Sequence, residues 1–222
     1  MKKMLFVLLL AAMTWTAGAV ELKSEGRDKG YVETILARSQ KVVDKLGIED
    51  SQTAEAVRNI IANRYFELND IYEARDARLA AVKEQGLTGD AKQQAQAFAR
   101  YECDSKLYHS HFAFPAALSQ YLTEEQITAV KDGMTFGVVK VTYDSHLDMI
   151  PTLTDEEKEQ IRVWLEEARE LAVDAESSKK KHEIFGKYKG RINNYLSKRG
   201  YDLTAEREAW YKRIEARKAQ QK

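Results

Sequence analysis

The amino-acid sequence predicts an all-α fold, an irregular bundle of roughly six or seven helices. Alanine, glutamate, lysine, arginine and glutamine, which favour helices, are abundant, and only Pro115 and Pro151 interrupt the chain. Apolar residues recur at intervals of three and four, which places them on one face of a helix. The stretch 133–151 departs from this pattern because it combines glycines with β-branched residues. It is expected to form a glycine-containing loop or a short strand, with a brief helical turn near Leu147.

The first three helices follow from the apolar faces and from the residues that end them. A first face ends at Gly47, and a second continues to about Gly86, since glycine commonly ends helices. A third helix is expected to begin at Thr88 or Asp90. Pro115 should kink or end this third helix, because proline lacks a backbone N–H donor.

Two later helices begin with the same capping signal. In the sequence "LTEEQ", Thr123 and Gln126 have the spacing of a capping box, in which the two residues exchange side-chain to backbone hydrogen bonds. In "LTDEE", Thr154 and Glu157 repeat that spacing. Each pair therefore predicts the first turn of a helix.

The first 19 residues have the features of a secretory signal peptide. Lys2 and Lys3 precede an apolar run, and Ala17 and Ala19 have the A-x-A spacing of a cleavage site. The apolar run is too short to span a bilayer, which takes about 20 residues. We therefore expect cleavage after Ala19, a periplasmic or secreted protein, and no membrane span.

The exported chain is expected to form a single helical domain over 20–222. Its last helix has few apolar anchors, so the charged tail at about 216–222 should fray. Without the signal peptide the chain has 33 basic and 35 acidic residues, which argues against nucleic acid as a partner. Cys103 is the only cysteine, so no internal disulfide can form, and a buried position is expected for it.

Charge is segregated between two neighbouring segments. Residues Asp155–Glu176 include nine acidic and three basic side chains, whereas Ser177–Tyr201 include eight basic and one acidic. We expect the two segments to pack antiparallel and to neutralise each other. The alternative is a basic face that remains free to bind an anionic ligand.

The motif "FGKYKGRINNYL", residues 185–196, separates into three faces when it is projected on a helix. One face is apolar and should belong to the core. The basic face consists of Lys187, Arg191, Asn194 and Lys198, and the small face consists of Gly186, Gly190, Asn193 and Ser197. Each glycine in a helix interior costs about 1 kcal/mol relative to alanine. We therefore expect a neighbouring helix to approach the small face closely, with a ligand as the alternative.

Four segments together resemble the family known as domain of unknown function 3826. They are "LNDI" at 68–71, "LTEEQITAVKDGMTFGVVKVTY" at 122–143, "LDMIPTLTDEEK" at 147–158 and "FGKYKGRINNYL" at 185–196. The resemblance implies an exported protein of Bacteroidetes that is described as sugar-binding and is encoded beside polysaccharide-degradation genes. It implies no catalytic residues, and no cofactor is expected.

A carbohydrate is therefore the expected partner, and one seam of the 185–196 motif suits it. Tyr188 and Tyr195 border Arg191 and Asn194, and aromatic faces beside planar polar groups fit the apolar face and the hydroxyl rim of a sugar. Arg191 can also pair with the carboxylate of a uronic acid. Further candidate ligand-binding residues are Lys187, Tyr143 and Asp70.

An enzyme that acts on acidic sugars is a second possibility. Asp144, His146 and Asp148 carry the groups that acid–base catalysis on a glycoside uses. This function requires the three side chains to converge with Arg191 in one site.

A periplasmic chaperone is a third possibility, because "LTEEQ" is similar to the LTxxQ motif of Spy-like proteins. A helix cap explains the same residues. No metal site is expected, because His109 and His111 are two residues apart and so point to opposite sides of a helix.

Overall fold

The computed structural model describes residues 20–220, and it confirms the predicted all-α class. Nine helices occur within these residues, joined by short turns. Their bounds are α1 Lys29–Val43, α2 Ser51–Glu84, α3 Gly89–His111, α4 Ala113–Leu118, α5 Glu124–Met134, α6 Val138–Met149, α7 Asp155–Val173, α8 Ser178–Lys198 and α9 Leu203–Gln220. The predicted signal peptide, 1–19, and the end of the predicted frayed tail lie outside the described residues. Between residues 20 and 220, no helix has both the length and the apolar character that crossing a membrane requires.

The two predicted capping boxes are confirmed at the starts of α5 and α7. Thr123 and Gln126 exchange side-chain to backbone hydrogen bonds, and Thr154 and Glu157 do the same. These bonds satisfy backbone N–H groups that the first turn of a helix leaves without partners. Pro115 lies in the first turn of α4, where its missing N–H removes no helical hydrogen bond.

The stretch 133–151 is helical over most of its length, which corrects the expected loop or short strand. α5 ends at Met134, three residues form a turn, and α6 begins at Val138. Phe136 and Gly137 both have positive φ angles, 63° and 65°, and this left-handed pair separates the two helices. The β-branched residues that suggested a strand pack α6 against its neighbours instead, because tertiary packing overrides local propensity.

The apolar core consists of two main clusters. The first joins α1, α2, α4 and α5 around Val57, Ile61 and Leu118, which are fully buried. The second joins α6, α7 and α8 around fully buried side chains such as Ile161 and Phe185. Elements of the first cluster and the start of α8 together enclose a cleft.

A buried ion-pair network joins α2, α3 and the end of α7. Arg64 donates a 2.7 Å hydrogen bond to Asp174, and the other carboxylate oxygen of Asp174 lies 2.7 Å from Nδ1 of His111. The hydroxyl of Tyr72 donates to the backbone oxygen of Asp174. This network accounts for His111 structurally, and Cys103, also on α3, is buried as predicted.

Lys181 connects the ends of two helices. Its Nζ donates hydrogen bonds to the backbone oxygens of Met134 and Val173, the last residues of α5 and α7, at 3.2 and 3.0 Å. A positive charge at a helix C-terminus is favourable because the helix dipole is negative there. Burial nevertheless lowers the pKa of Lys181 to about 8, since it disfavours the charged amine.

The acidic α7 and the basic α8 pack antiparallel and share ion pairs, as predicted. Nε of Arg199 donates to Glu157 at 2.8 Å, and Arg191 lies 3.3 Å from Glu167. Burial by itself would raise the pKa of Glu157, but hydrogen bonds from Thr154, Tyr201 and Arg199 outweigh it and lower the pKa to about 2. The charge segregation in the sequence therefore reflects helix pairing in part, through Arg191 and Arg199.

The glycines of α8 do not mark a close helix contact, which corrects the packing expected from the sequence. A Cβ atom placed on Gly186 or Gly190 would have no neighbour within 4 Å. The close approach occurs instead at Gly133 of α5, where a Cβ would lie 3.0 Å from a methyl carbon of Val42. Glycine is therefore needed at the contact of α5 with α1, and no helix requires it in α8.

Candidate functional site

A cleft of about 1170 Å³ lies between α1, α2, the turn from α5 to α6, and the start of α8. We call it the basic cleft. Its lining includes Tyr31, Arg38, Lys41, Lys45, Tyr65, Asn69, Asp132, Phe136 and Lys181. The cleft is large enough for a ligand of several sugar units, since small-molecule sites commonly measure about 300–1,000 Å³.

Three cations on one side of the basic cleft have no hydrogen-bond or ion-pair partner among the described residues. Arg38 and Lys41 lie on one face of α1, and Lys45 follows in the turn after this helix. The three side chains are exposed, and none forms a hydrogen bond or an ion pair within residues 20–220. Positive charges that are solvated but unpaired remain available to an anionic ligand.

Aromatic side chains lie beside these cations. The guanidinium of Arg38 is 5.5 Å from the centre of the Tyr65 ring. Burial raises the pKa of Tyr65 to about 12, although the nearby Arg38 opposes that shift, so the phenol stays neutral at physiological pH. Tyr31 and Tyr72 also line the cleft. Aromatic rings beside cations suit a ligand that has both apolar faces and negative charge.

Phe136 occupies the edge of the cleft in an unusual backbone conformation. Its φ of 63° is the single positive value among the described non-glycine residues. This left-handed conformation costs a residue with a Cβ roughly 1–2 kcal/mol. The side chain is nevertheless about half exposed, and its ring stacks on that of His182 with centres 5.3 Å apart. Phe136 is therefore a candidate functional residue, because strained residues are frequent at ligand sites.

The acidic residues of the cleft, unlike its cations, are paired. Burial raises the pKa of Asp132, although Arg169 at 3.3 Å opposes this shift. Glu176 lies 2.7 Å from Arg75. The negative charge of Asp132 and Glu176 is therefore largely compensated. The positive charge of Arg38, Lys41 and Lys45 is not compensated by any carboxylate in the described chain. The start of α8, at Ser177 and Ser178, adds the partial positive charge of a helix N-terminus to the lining.

The seam predicted from the sequence lies on a different surface, in a groove of about 640 Å³ between α7 and α8. We call it the α7–α8 groove. Four of the predicted residues line this groove together: Lys187, Arg191, Asn194 and Tyr195. Trp164, Gly190 and Lys198 complete the lining. The groove therefore has the composition that the motif indicates.

Arg191, however, is already engaged within the groove. Its guanidinium lies 4.4 Å from the centre of the Trp164 ring, and it pairs with Glu167. Trp164 and Tyr195 contact each other edge to face at 5.2 Å, which orients them perpendicular to one another. Tyr188 does not line the groove; it packs on the second core cluster, and burial together with a hydrogen bond to Glu167 raises its pKa to about 12.

The remaining candidate ligand residues have structural roles. Asp70 forms a two-pronged ion pair with Arg27 at 2.8 and 2.7 Å, which ties the segment before α1 to α2. Tyr143 packs on the second core cluster from α6. Neither residue lines the basic cleft or the α7–α8 groove of the described chain.

The three candidate catalytic residues all lie on α6 and are engaged separately. Asp144 is exposed and pairs with Lys140, one turn earlier. Nδ1 of the buried His146 donates to the backbone oxygen of Thr142. Within residues 20–220, none of the candidates lines the basic cleft or the α7–α8 groove.

Asp148 connects α6 to α9. It accepts hydrogen bonds from the indole of Trp210 at 2.7 Å and from both terminal nitrogens of Arg217. The bonds from Arg217, with that from Trp210, lower the pKa of Asp148 to about 2. A carboxylate that is ionised at physiological pH and held by two side chains suits helix docking better than proton transfer.

Residues 32–216 match the sequence model of a family described as "Protein of unknown function (DUF3826)". The chain belongs to this family. The match spans all the elements that form the basic cleft, and of the lining residues named above only Tyr31 precedes it. No curated protein matches the sequence. Throughout the described part of this DUF3826 protein, no three His, Cys, Asp or Glu side chains are grouped as a metal ion would require.

The basic cleft of the DUF3826 protein was missed by sequence reasoning, although a signal for one of its walls exists. Thr34, Arg38, Lys41 and Lys45 recur at intervals of four, three and four, so they share one helical face next to the core face of α1. A charged stripe of that kind usually marks a solvated surface. The aromatic residues opposite come from distant parts of the chain, so no local motif joins them to this stripe.

Proposed function

We propose that this DUF3826 protein is an exported carbohydrate-binding protein that holds an anionic glycan in the basic cleft. The observation that carries the proposal is the set of three unpaired cations beside a group of aromatic rings. A glycan that contains uronic acids presents carboxylates and apolar ring faces to such a surface. The proposed ligand is therefore an acidic oligosaccharide or a segment of an acidic polysaccharide.

The groups in the cleft have distinct proposed roles. Arg38 binds a uronate carboxylate, because its planar guanidinium matches two carboxylate oxygens. Phe136, which is about half exposed, offers a ring face to the apolar side of a sugar unit, and Tyr65 adds to the aromatic lining of the cleft. The side chain of Asn69 forms no hydrogen bond within the described chain and can bond sugar hydroxyls.

Binding fits the cleft better than hydrolysis does. Glycoside hydrolysis ordinarily needs two carboxyl groups on either side of the bond that is cleaved. Asp132 and Glu176 are the acidic residues of the lining, and each is already held by an arginine. The capping hydrogen bonds of Thr123 account for the "LTEEQ" sequence, so this motif gives no separate support to a chaperone.

The ligand class can be tested by calorimetric titration of the mature protein, residues 20–222. An oligogalacturonide should bind, and the same oligosaccharide with its carboxylates chemically reduced to alcohols should bind at least roughly tenfold more weakly, because a charge-assisted hydrogen bond contributes about 1.5–3 kcal/mol. Added salt should weaken the first interaction far more than the second. Equal affinity for the two oligosaccharides would refute the proposed role of the cations.

The export part of the proposal rests on the features of residues 1–19. Val20 would be the first residue after cleavage, and its backbone oxygen accepts a hydrogen bond from Asn59 of α2. The test is to express the full chain in a bacterium and to determine the N-terminal sequence of the accumulated protein. We expect Val20 as the first residue, in the periplasmic or the secreted fraction. Retention of residues 1–19 in the cytoplasm would contradict export.

A further inference from the structure

Helix α3 and Phe112, the residue that follows it, carry a stripe of aromatic residues that is largely exposed in the described chain. Phe98, Tyr101, Tyr108 and Phe112 are exposed by 59, 71, 66 and 59%. The other large apolar residues that are exposed in the described chain are mostly aliphatic, and no other element carries more than two of them. An exposed group of aromatic residues on one face usually marks an interaction surface.

The stripe has the geometry of a helix-pairing seam. With Ser105, its members recur at intervals of three, four, three and four, which is the spacing of the a and d positions of a coiled coil. At 3.6 residues per turn the five residues fall within a sector of about 80°. That sector lies opposite Ala99 and Cys103, which are the buried residues of α3. Helix α3 therefore has one apolar face against the protein and a second against solvent.

We infer that the aromatic stripe is the interface of a homodimer in which the two α3 helices pair antiparallel. A two-fold axis between Ser105 and Tyr108 places the small Ser105 opposite the second copy's Tyr108, and Tyr101 opposite the second copy's Phe112. The rings of Tyr101, Tyr108 and Phe112 then each meet a small residue or another ring, which is the alternation that close helix packing needs. Tyrosine and phenylalanine are also enriched at protein interfaces.

Charge beside the stripe is complementary to a second copy of the chain that pairs antiparallel. Glu102 and His109 lie along one edge of the stripe, with the acidic residue toward the N-terminal half. Both occupy the e position of the heptad, and antiparallel pairing brings the e positions of the two helices to the same edge, so Glu102 lies near the second copy's His109. Arg78 of α2 lies 3.4 Å from Glu102 within the same chain and leaves this carboxylate partly exposed.

The orientations of the rings favour a protein partner over a glycan on this surface. The rings of Tyr108 and Phe112 are nearly perpendicular, at 85°, with centres 5.6 Å apart. Such an edge-to-face pair offers no flat platform to a sugar ring, but it offers both edges and faces to partner aromatics. The described residues of α3 line no part of the basic cleft, so the pairing leaves both clefts of the dimer open.

The test is sedimentation equilibrium of the mature protein over a wide concentration range. We expect the wild type to reach twice the mass of one chain, and the variant Tyr101→Glu with Tyr108→Glu to remain a monomer. The matched control is Val141→Glu with Leu171→Glu, which introduces the same charges at exposed apolar positions of α6 and α7. The control should dimerise like the wild type. Circular dichroism checks that each variant is folded.

A charge exchange tests the antiparallel register. Glu102→Lys should raise the dimer dissociation constant roughly tenfold, and addition of His109→Glu should restore it, because the exchanged charges again face each other. Arg78→Ala controls for the contact within the chain. A wild type that stays monomeric, a control variant that dissociates equally, or a charge exchange that gives no restoration would overturn the inference. Loss of glycan binding by a stripe variant of a monomeric wild type would overturn it in favour of a glycan surface.

Discussion

The basic cleft and the α7–α8 groove contain similar residues but differ in what those residues contact. Each places an arginine next to an aromatic ring, Arg38 by Tyr65 at 5.5 Å and Arg191 by Trp164 at 4.4 Å. Arg191 also pairs with Glu167, whereas Arg38 pairs with no carboxylate in the described chain. Residue composition alone therefore does not distinguish the two surfaces. They differ in whether the arginine is paired with a carboxylate and in how many elements surround the surface.

The two regions also differ in how the chain builds them. The α7–α8 groove arises from two consecutive helices, so a single motif and its predecessor in sequence define it. The basic cleft combines α1, α2, the turn between α5 and α6, and the start of α8. A site assembled from distant segments can be enclosed on several sides, which a pair of neighbouring helices cannot achieve.

The largest expected difference between the two regions is in ligand affinity. Arg38→Ala should weaken binding of an oligogalacturonide roughly 30-fold, because it removes a charge-assisted hydrogen bond of about 2 kcal/mol. Arg191→Ala should leave the affinity unchanged. Calorimetric titration of the two variants checks this prediction. The reverse order of effects would move the site to the α7–α8 groove.

The largest expected effect on the stability of the protein concerns Lys181. This residue lines the cleft and connects the ends of α5 and α7. Its pKa is about 8 in the folded protein against an ordinary value of 10.5, so the unfolded chain binds more protons between these pH values. The free energy of unfolding should therefore rise as the pH increases from about 8 to 10.5, by about 3 kcal/mol in total, since one pKa unit corresponds to about 1.4 kcal/mol.

Urea unfolding at several pH values measures this rise. Lys181→Met serves as the control, because every other titrating group of the wild type remains in it. The variant should be destabilised near neutral pH, since the backbone oxygens of Met134 and Val173 lose their donor. A rise of equal size in both proteins would show that other groups cause it.

The glycines distinguish the two regions by the sign of their effect on stability. Gly133→Ala should destabilise the protein by roughly 1–2 kcal/mol, because its Cβ would press on Val42 where α1 meets α5. Gly186→Ala and Gly190→Ala should each stabilise it by up to about 1 kcal/mol, because both sites are open and alanine favours helices. Thermal unfolding gives the signs. If Gly190→Ala weakened glycan binding, the small face of α8 would be a ligand contact after all.

The smallest expected change in stability comes from replacing Phe136, and this substitution also tests whether its backbone is strained. Phe136→Gly should stabilise the protein by up to about 1 kcal/mol, because glycine adopts a positive φ without the Cβ cost. The same variant should bind the oligosaccharide more weakly, since the ring is removed. Thermal unfolding and titration of one preparation test both expectations. A variant that is stabilised and binds normally would exclude Phe136 from the site.

The fold could be predicted where local chemistry determines it. The capping boxes at Thr123 and Thr154 were readable because hydroxyl and carboxamide or carboxylate groups three residues apart have few other structural uses. The pairing of α7 with α8 was readable from their opposite charges. The helical state of 138–149 was not, because its β-branched residues gain their helical conformation from packing on α7 and α9.

The residue types of a candidate site could be predicted from the sequence, but its location in the structure could not. The combination of arginine with tyrosine was sought in one motif, and Lys187, Arg191, Asn194 and Tyr195 do share a groove. Whether an arginine is free depends on a carboxylate from another helix, such as Glu167 at 3.3 Å from Arg191. Contacts of that kind are tertiary, so a single sequence does not contain them in readable form.

The central claim is that the anionic glycan binds in the basic cleft, and an NMR titration tests it most directly. Amide and indole signals of the ¹⁵N-labelled mature protein would be followed as an oligogalacturonide is added. We predict the largest shifts at the amides of Arg38, Lys41 and Phe136, with the indole signal of Trp164 unchanged. Shifts centred on Trp164 and Arg191, with α1 unaffected, would contradict the account.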